Sequence, residues 1–249
     1  MSGTGSSIVG IRAFGTYVPE GRMSAAEIAE ATGVPEDVIA QKFGVIEKPV
    51  PGPQDTPASM GIRAAEQALA KASVRPQDID LVIWNGAQHK DYPCWLASLK
   101  IAHDLGATRA WGFDMEAMCG SMMAAMEMAQ AMMLQNQHYR RVLLVSGYRN
   151  ADLIDLSEPG TRFMLDLGAS GAALLLERDW RENVILGSAF KGDGSFSEDC
   201  VVPVLGAKAW PPSPEDVGHA HFAMQDADSF KKKLGERTLP NFYEVIRTS

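Results

Sequence analysis

Trp111 to Gln130, WGFDMEAMCGSMMAAMEMAQ, passes from a strand into a long helix through one tight turn, and Cys119 sits in that turn. The strand is expected over 109–114 and the helix over 120–137, with Gly120 and Ser121 small enough to allow the turn. Outward on the N-terminal side, Pro93 to Leu105 reads as a helix. Leu81 to Gly86, LVIWNG, reads as a short buried strand closed by Asn85-Gly86. Before it, Pro57 to Ala72 is alanine-rich with apolar residues at helical spacing, a helix of about four turns. Pro35 opens a short helix through about Lys42. Ser24 with Glu27 forms a capping box ahead of AAEIAEA. Ser7 to Phe14 is a strand that Gly15 is expected to end. On the C-terminal side, Arg140-Arg141 introduces VLLVSG, and Gly171 to Leu176, GAALLL, is another apolar strand. Continuous rather than alternating apolar strands, interleaved with helices, indicate a sheet covered on both faces. The chain is of the α/β class.

Composition agrees and narrows the function. The 249 residues are 46% apolar and 22% charged, as in ordinary globular proteins, which excludes collagen-like, disordered and disulfide-scaffold classes. A formal charge of −8 argues against nucleic acid or anionic lipid as a partner. No apolar run approaches the ~18 residues of a membrane span, and the first residues lack the basic and apolar regions of a signal peptide. Three cysteines (Cys94, Cys119, Cys200) with no C-x-x-C fit a reducing, cytoplasmic setting and offer no cysteine-rich metal site.

The C-terminal third reads differently. Gly187-Ser188-Ala189-Phe190 echoes Gly10 to Phe14, so a second α/β unit is expected to begin near Asn183. Val201 to His221 contains four prolines and little periodicity, an irregular loop that either connects or shapes an entrance. Phe242, Val245 and Ile246 mark a helix near the end with no cap after it. This second unit is therefore expected to be incomplete.

Chemistry concentrates at Cys119. A thiol at a helix N-terminus meets the positive end of the macrodipole and unpaired N–H groups, both of which favour thiolate. That suits a nucleophile that forms a thioester; a buried structural cysteine is the plain alternative. His219-x-His221 alone makes a weak metal site. Eight of the thirteen methionines fall between Met115 and Met133, which suggests core packing first and an acyl-chain lining second. Lys231-Lys232-Lys233 reads as a solvated helix face, or as a lure for an acidic carrier protein.

Phe113-Asp114-x-x-x-x-Cys119, the Pro93 helix before it, and the glycine-rich Gly168 to Leu176 after it together resemble the ketoacyl-ACP synthase III branch of the thiolase-fold condensing enzymes. The resemblance implies a five-layer αβαβα fold of two related halves. Residues 1–182 would form the N-terminal half with the nucleophile, and 183–249 the beginning of an incomplete C-terminal half. It implies a homodimer, or a partner chain that completes the fold. It further implies that Cys119 takes an acyl group from acyl-CoA or acyl carrier protein, as substrates rather than cofactors. Decarboxylative Claisen condensation with a malonyl-type donor would follow, as in fatty acid or polyketide biosynthesis. The His and Asn of the family's catalytic set belong to its second half, beyond Ser249.

Other positions follow from the same resemblance. Tyr92 aligns with an aromatic that lines the acyl pocket across the dimer. Val38 and Lys42 stand where the family holds the CoA adenine with a tryptophan and an arginine; stacking is lost and Lys42 leaves a flexible point charge. Glu116 replaces a small residue, either as a satisfied polar contact or as a carboxylate that disfavours the thiolate and steers substrate choice. A non-catalytic thiolase-fold subunit that docks a complementary chain is the alternative to an acyltransferase.

Overall fold

The computed structural model describes residues 7–248. In chain order the strands are β1 (Val9–Tyr17), β2 (Gly21–Ser24), β3 (Glu47–Val50), β4 (Leu81–Gly86), β5 (Trp111–Glu116), β6 (Arg141–Tyr148), β7 (Ser170–Arg178), β8 (Cys200–Val201) and β9 (Ala223–Met224). The α-helices are α1 (Ala25–Thr32), α2 (Glu36–Val38), α3 (Pro57–Ala72), α4 (Ala97–Leu105), α5 (Ser121–Gln135), α6 (Pro214–Gly218) and α7 (Ala227–Thr248). Two compact units result.

The first unit comprises the described residues up to Gly21, Pro49–Arg149 and Gly168–Gly187. Its sheet has the order β1-β7-β6-β4-β5. β4 runs parallel to both β5 and β6, whereas β7 is antiparallel to β1 and β6. Every residue of β4 is buried. Its alternation sends Val82 and Trp84 into a core with Ala64, Ala68 and Ile101 of α3 and α4. Leu81 and Ile83 join Ala125, Ala129 and Met133 of α5 in a second core. The sheet is thus covered on both faces, as its continuous apolar strands require.

Several boundaries differ from the sequence expectation, each for a long-range reason. β1 does not stop at Gly15 but runs on to Tyr17. A Cβ at Gly15 would lie 1.9 Å from the Ala64 carbonyl oxygen, so this glycine serves the close approach of α3 instead of ending a strand. α4 begins at Ala97, not Pro93, because both oxygens of Asp114 accept N–H groups there, from Ala97 and Ser98 at 2.9 Å each. Cys94 with φ 51° turns the chain just before it. No strand forms at Gly187 to Phe190; the extended contact lies earlier, where Val184 bridges Gly10 and the Ile185 N–H donates to Val9 at 3.0 Å.

The second unit comprises Arg22–Lys48, Asn150–Leu167 and the residues from Ser188 onward. Its capping box forms as expected, the Ser24 hydroxyl accepting the Glu27 N–H while the Glu27 carboxylate accepts the Ser24 N–H. A small core gathers Ala25, Ile28, Ile39 and Leu165. Lys48 is buried beside it and donates to the Leu165 carbonyl at 2.8 Å; burial pulls its pKa down, against the opposing charge of Asp166. Residues 201–221 are largely irregular, interrupted by a short turn at Ala207–Ala209 and by α6. α7 is 22 residues long and buries none of them. Among the described residues, no helix is long and apolar enough to cross a membrane.

Candidate active site around Cys119

β4 and β5 run parallel and end in register, Gly86 opposite Glu116. Two loops leave these carboxyl ends, the place where open α/β sheets present reactive groups. The loop after β5 turns sharply. Met118 adopts φ 49°, a left-handed conformation that costs a non-glycine residue about 1 kcal/mol or more and is held only by surrounding contacts. The one-turn 3₁₀ helix Met118–Gly120 then carries Cys119 directly into α5.

Ser121 supplies those contacts. Its buried hydroxyl accepts the Ala117 N–H at 2.8 Å. Its single hydrogen is shared between the Gly86 carbonyl at 2.9 Å and the Met118 carbonyl at 2.7 Å. The side chain therefore fastens the strained turn to the end of β4. Cys119 is left as a free, exposed thiol at the head of α5, where the Gly120 and Ser121 N–H groups donate to the Ala117 and Met118 carbonyls. Among the described residues the thiol is therefore not buried.

The second support is a lysine. Lys90 lies in the loop after β4 with its side chain only 12% exposed. Its ammonium pairs with Asp114 at 2.9 Å and Glu116 at 3.6 Å and donates to the Trp95 carbonyl at 3.1 Å. Asp114 is thus both the cap of α4 and an ion-pair partner, and Glu116 is a paired carboxylate. Lys90 drew no notice in the sequence, because a lone lysine in a loop reads as solvated. The signal that could have found it is the pair Asp114 and Glu116, two carboxylates on one face of a strand that need a cation.

Tyr92 is 65% exposed, edge-on to Trp95 at 5.6 Å between ring centroids. Lys42 belongs to the second unit, exposed in the π-helical turn Ile39–Phe43. Of the methionines around Cys119, Met133 is in the core, while Met118, Met123 and Met128 are exposed. In the lysine run, Lys233 is engaged by Asp199 and the Ser195 carbonyl. Among the described residues, no group of three or more His, Cys, Asp or Glu side chains is placed to hold a metal ion. The glycine-rich segment has a packing role. A Cβ at Gly171 would lie 2.1 Å from the Met60 carbonyl oxygen in α3.

Solved structures share this architecture. The priming β-ketosynthase from the R1128 polyketide biosynthetic pathway superposes with a TM-score of 0.78, at 24% identity, over 94% of this chain and 68% of its own. OleA from Xanthomonas campestris, solved with bound lauric acid and lauroyl-CoA, gives 0.77 at 16% identity over 97% and 72%. The fold is that of the thiolase-like condensing enzymes. The family model for 3-oxoacyl-[acyl-carrier-protein (ACP)] synthase III matches residues 113–194, which begin in β5 and include Cys119 and β7. A β-ketoacyl-[acyl-carrier-protein] synthase III from Azobacteroides pseudotrichonymphae genomovar. CFP2 is 28% identical over 219 residues, 87% of this chain. The chain spans 64% of that relative's length. Along these stretches the chain is similar to the ketoacyl-ACP synthase III proteins.

Proposed function

We propose that the chain is an acyltransferase in which Cys119 accepts an acyl group from acyl-CoA or acyl carrier protein. The Cys119 sulfur attacks the thioester carbonyl, a new sulfur–carbon bond forms, and the donor's own sulfur departs with the proton that Cys119 gives up. The acyl-enzyme is then the electrophile for decarboxylative Claisen condensation with a malonyl-type donor. One observation carries this reading: an exposed thiol held on a strained turn at the head of α5, at the carboxyl ends of two parallel strands. Tyr92, exposed in the neighbouring loop, is the residue we assign to acyl-chain discrimination.

Intact-mass measurement after incubation with a panel of acyl-CoAs and acyl carrier proteins tests it. A hydroxylamine-labile adduct is expected on the wild type and not on Cys119→Ala. A folded protein that forms no adduct with any donor overturns the reading. A second reading, a non-catalytic thiolase-fold subunit completed by another chain, is favoured by the exposed Met123, Met128 and Leu134 on α5. It predicts no adduct until that chain is added, or none at all.

A further inference from the structure

We propose that Lys90 is a positioning residue of the Cys119 site, and that it sets the local charge so that anionic donors reach the thiol. The inference rests on the nucleophile reading above only for the identity of those donors. Asp114 and Glu116 are two residues apart on β5 and so share one face of the strand. Asp114 is 7% exposed and Glu116 31%. Two carboxylates this close, one of them buried, are unfavourable without a cation. Lys90 provides it from the adjacent loop, and its three N–H donors meet three acceptors: Asp114, Glu116 and the Trp95 carbonyl.

The arrangement has a mechanical and an electrostatic part. Mechanically, Lys90 ties the loop bearing Tyr92 and Trp95 to the strand that leads into Cys119. Asp114, fixed by Lys90, in turn fixes the start of α4 through Ala97 and Ser98. Electrostatically, Lys90 reduces the charge of the carboxylate pair from −2 to −1. Glu116 precedes Cys119 by three residues, so their Cα atoms are no more than about 11 Å apart. An unscreened carboxylate at that range repels the phosphates of CoA or an acidic carrier protein as they approach the thiol.

The test compares two alkylating reagents of similar size on Cys119, neutral iodoacetamide and anionic iodoacetate, with rates assigned to Cys119 by peptide mass spectrometry. Lys90→Met is expected to lower the iodoacetate-to-iodoacetamide rate ratio about fivefold at low ionic strength, and less in high salt. Lys90→Arg should keep the wild-type ratio, and Lys90→Met with Glu116→Gln should restore it. Glu116→Gln alone, at a surface position that does not endanger folding, should raise it. A merely structural lysine would change thermal stability and both alkylation rates together, leaving the ratio unmoved. An unchanged ratio in Lys90→Met, or in Glu116→Gln where Lys90→Met does not fold, overturns the proposal. The ratio needs no acyl donor, so a wild type that never forms a thioester would sink the proposed function without deciding this one.

Discussion

α3 and α5 lie on opposite faces of one sheet, yet they are built for different surroundings. α3 buries nine of its sixteen residues, and its outer side carries Arg63, Glu66, Gln67 and Lys71. That is an ordinary amphipathic helix, apolar inward and charged outward. α5 buries four of its fifteen residues, Ser121, Ala125, Ala129 and Met133. Its outer side shows Met123, Met128 and Leu134, with Glu127 as its one charge. A helix with apolar side chains on its outer side as well as its inner one is suited to being covered on both. The α3 face is finished scaffold, whereas the α5 face is open, and α5 is the helix into which Cys119 leads.

The sharpest way to break this contrast is to force α3 off the sheet. Gly171→Val would place its Cβ 2.1 Å from the Met60 carbonyl oxygen, a backbone atom in the first turn of α3 that cannot rotate away. The expected outcome is loss of the folded state, seen as the absence of a cooperative thermal transition by circular dichroism. A folded Gly171→Val protein with the wild-type melting temperature would mean that α3 does not dock as described.

The inner side of α5 is the next test. Met133 is fully buried against Leu81, Val142 and Leu144. Met133→Ala should cost about 2–5 kcal/mol, the usual range for deleting a large buried side chain, measured as a shift in the urea midpoint at unchanged m-value. A loss below about 1 kcal/mol would place Met133 in surroundings that collapse to fill the gap, and would weaken the distinction between the two sides of the helix.

How far the sequence foretold this depends on the range of the interaction. α3 and β4 were legible residue for residue, since helical spacing and an unbroken apolar run are local signals. So was the capping box at Ser24 and Glu27. The start of α4 was not legible, because the acceptor that sets it, Asp114, lies sixteen and seventeen residues beyond the N–H groups it caps. Gly15 misled for the same reason: its meaning is a contact with Ala64, 49 positions away in the chain. At the site, the turn and the thiol were visible as residue types in order. The lysine that neutralises their neighbours was not, because its partners Asp114 and Glu116 sit on another element. Local pattern reveals elements and the candidate thiol; it does not reveal which side chains meet at the ends of strands.

The smallest effect is the most informative about the open face. Met123 and Met133 are the same residue type on one helix, 53% and 0% exposed. Met123→Gln removes apolar surface that the described residues leave half exposed, so the stability of the isolated protein should change by no more than about 0.5 kcal/mol. Self-association, followed by light scattering, should fall at the same time, because an uncovered apolar face is what drives it. If Met123→Gln instead destabilises the isolated chain by about 2 kcal/mol or more, Met123 is packed within this polypeptide. The α5 face would then be closed, and the second reading, a subunit awaiting a covering chain, would lose the observation that favours it. If stability holds and association falls, the surface next to Cys119 is one that some further polypeptide must occupy whenever the thiol is shielded from water.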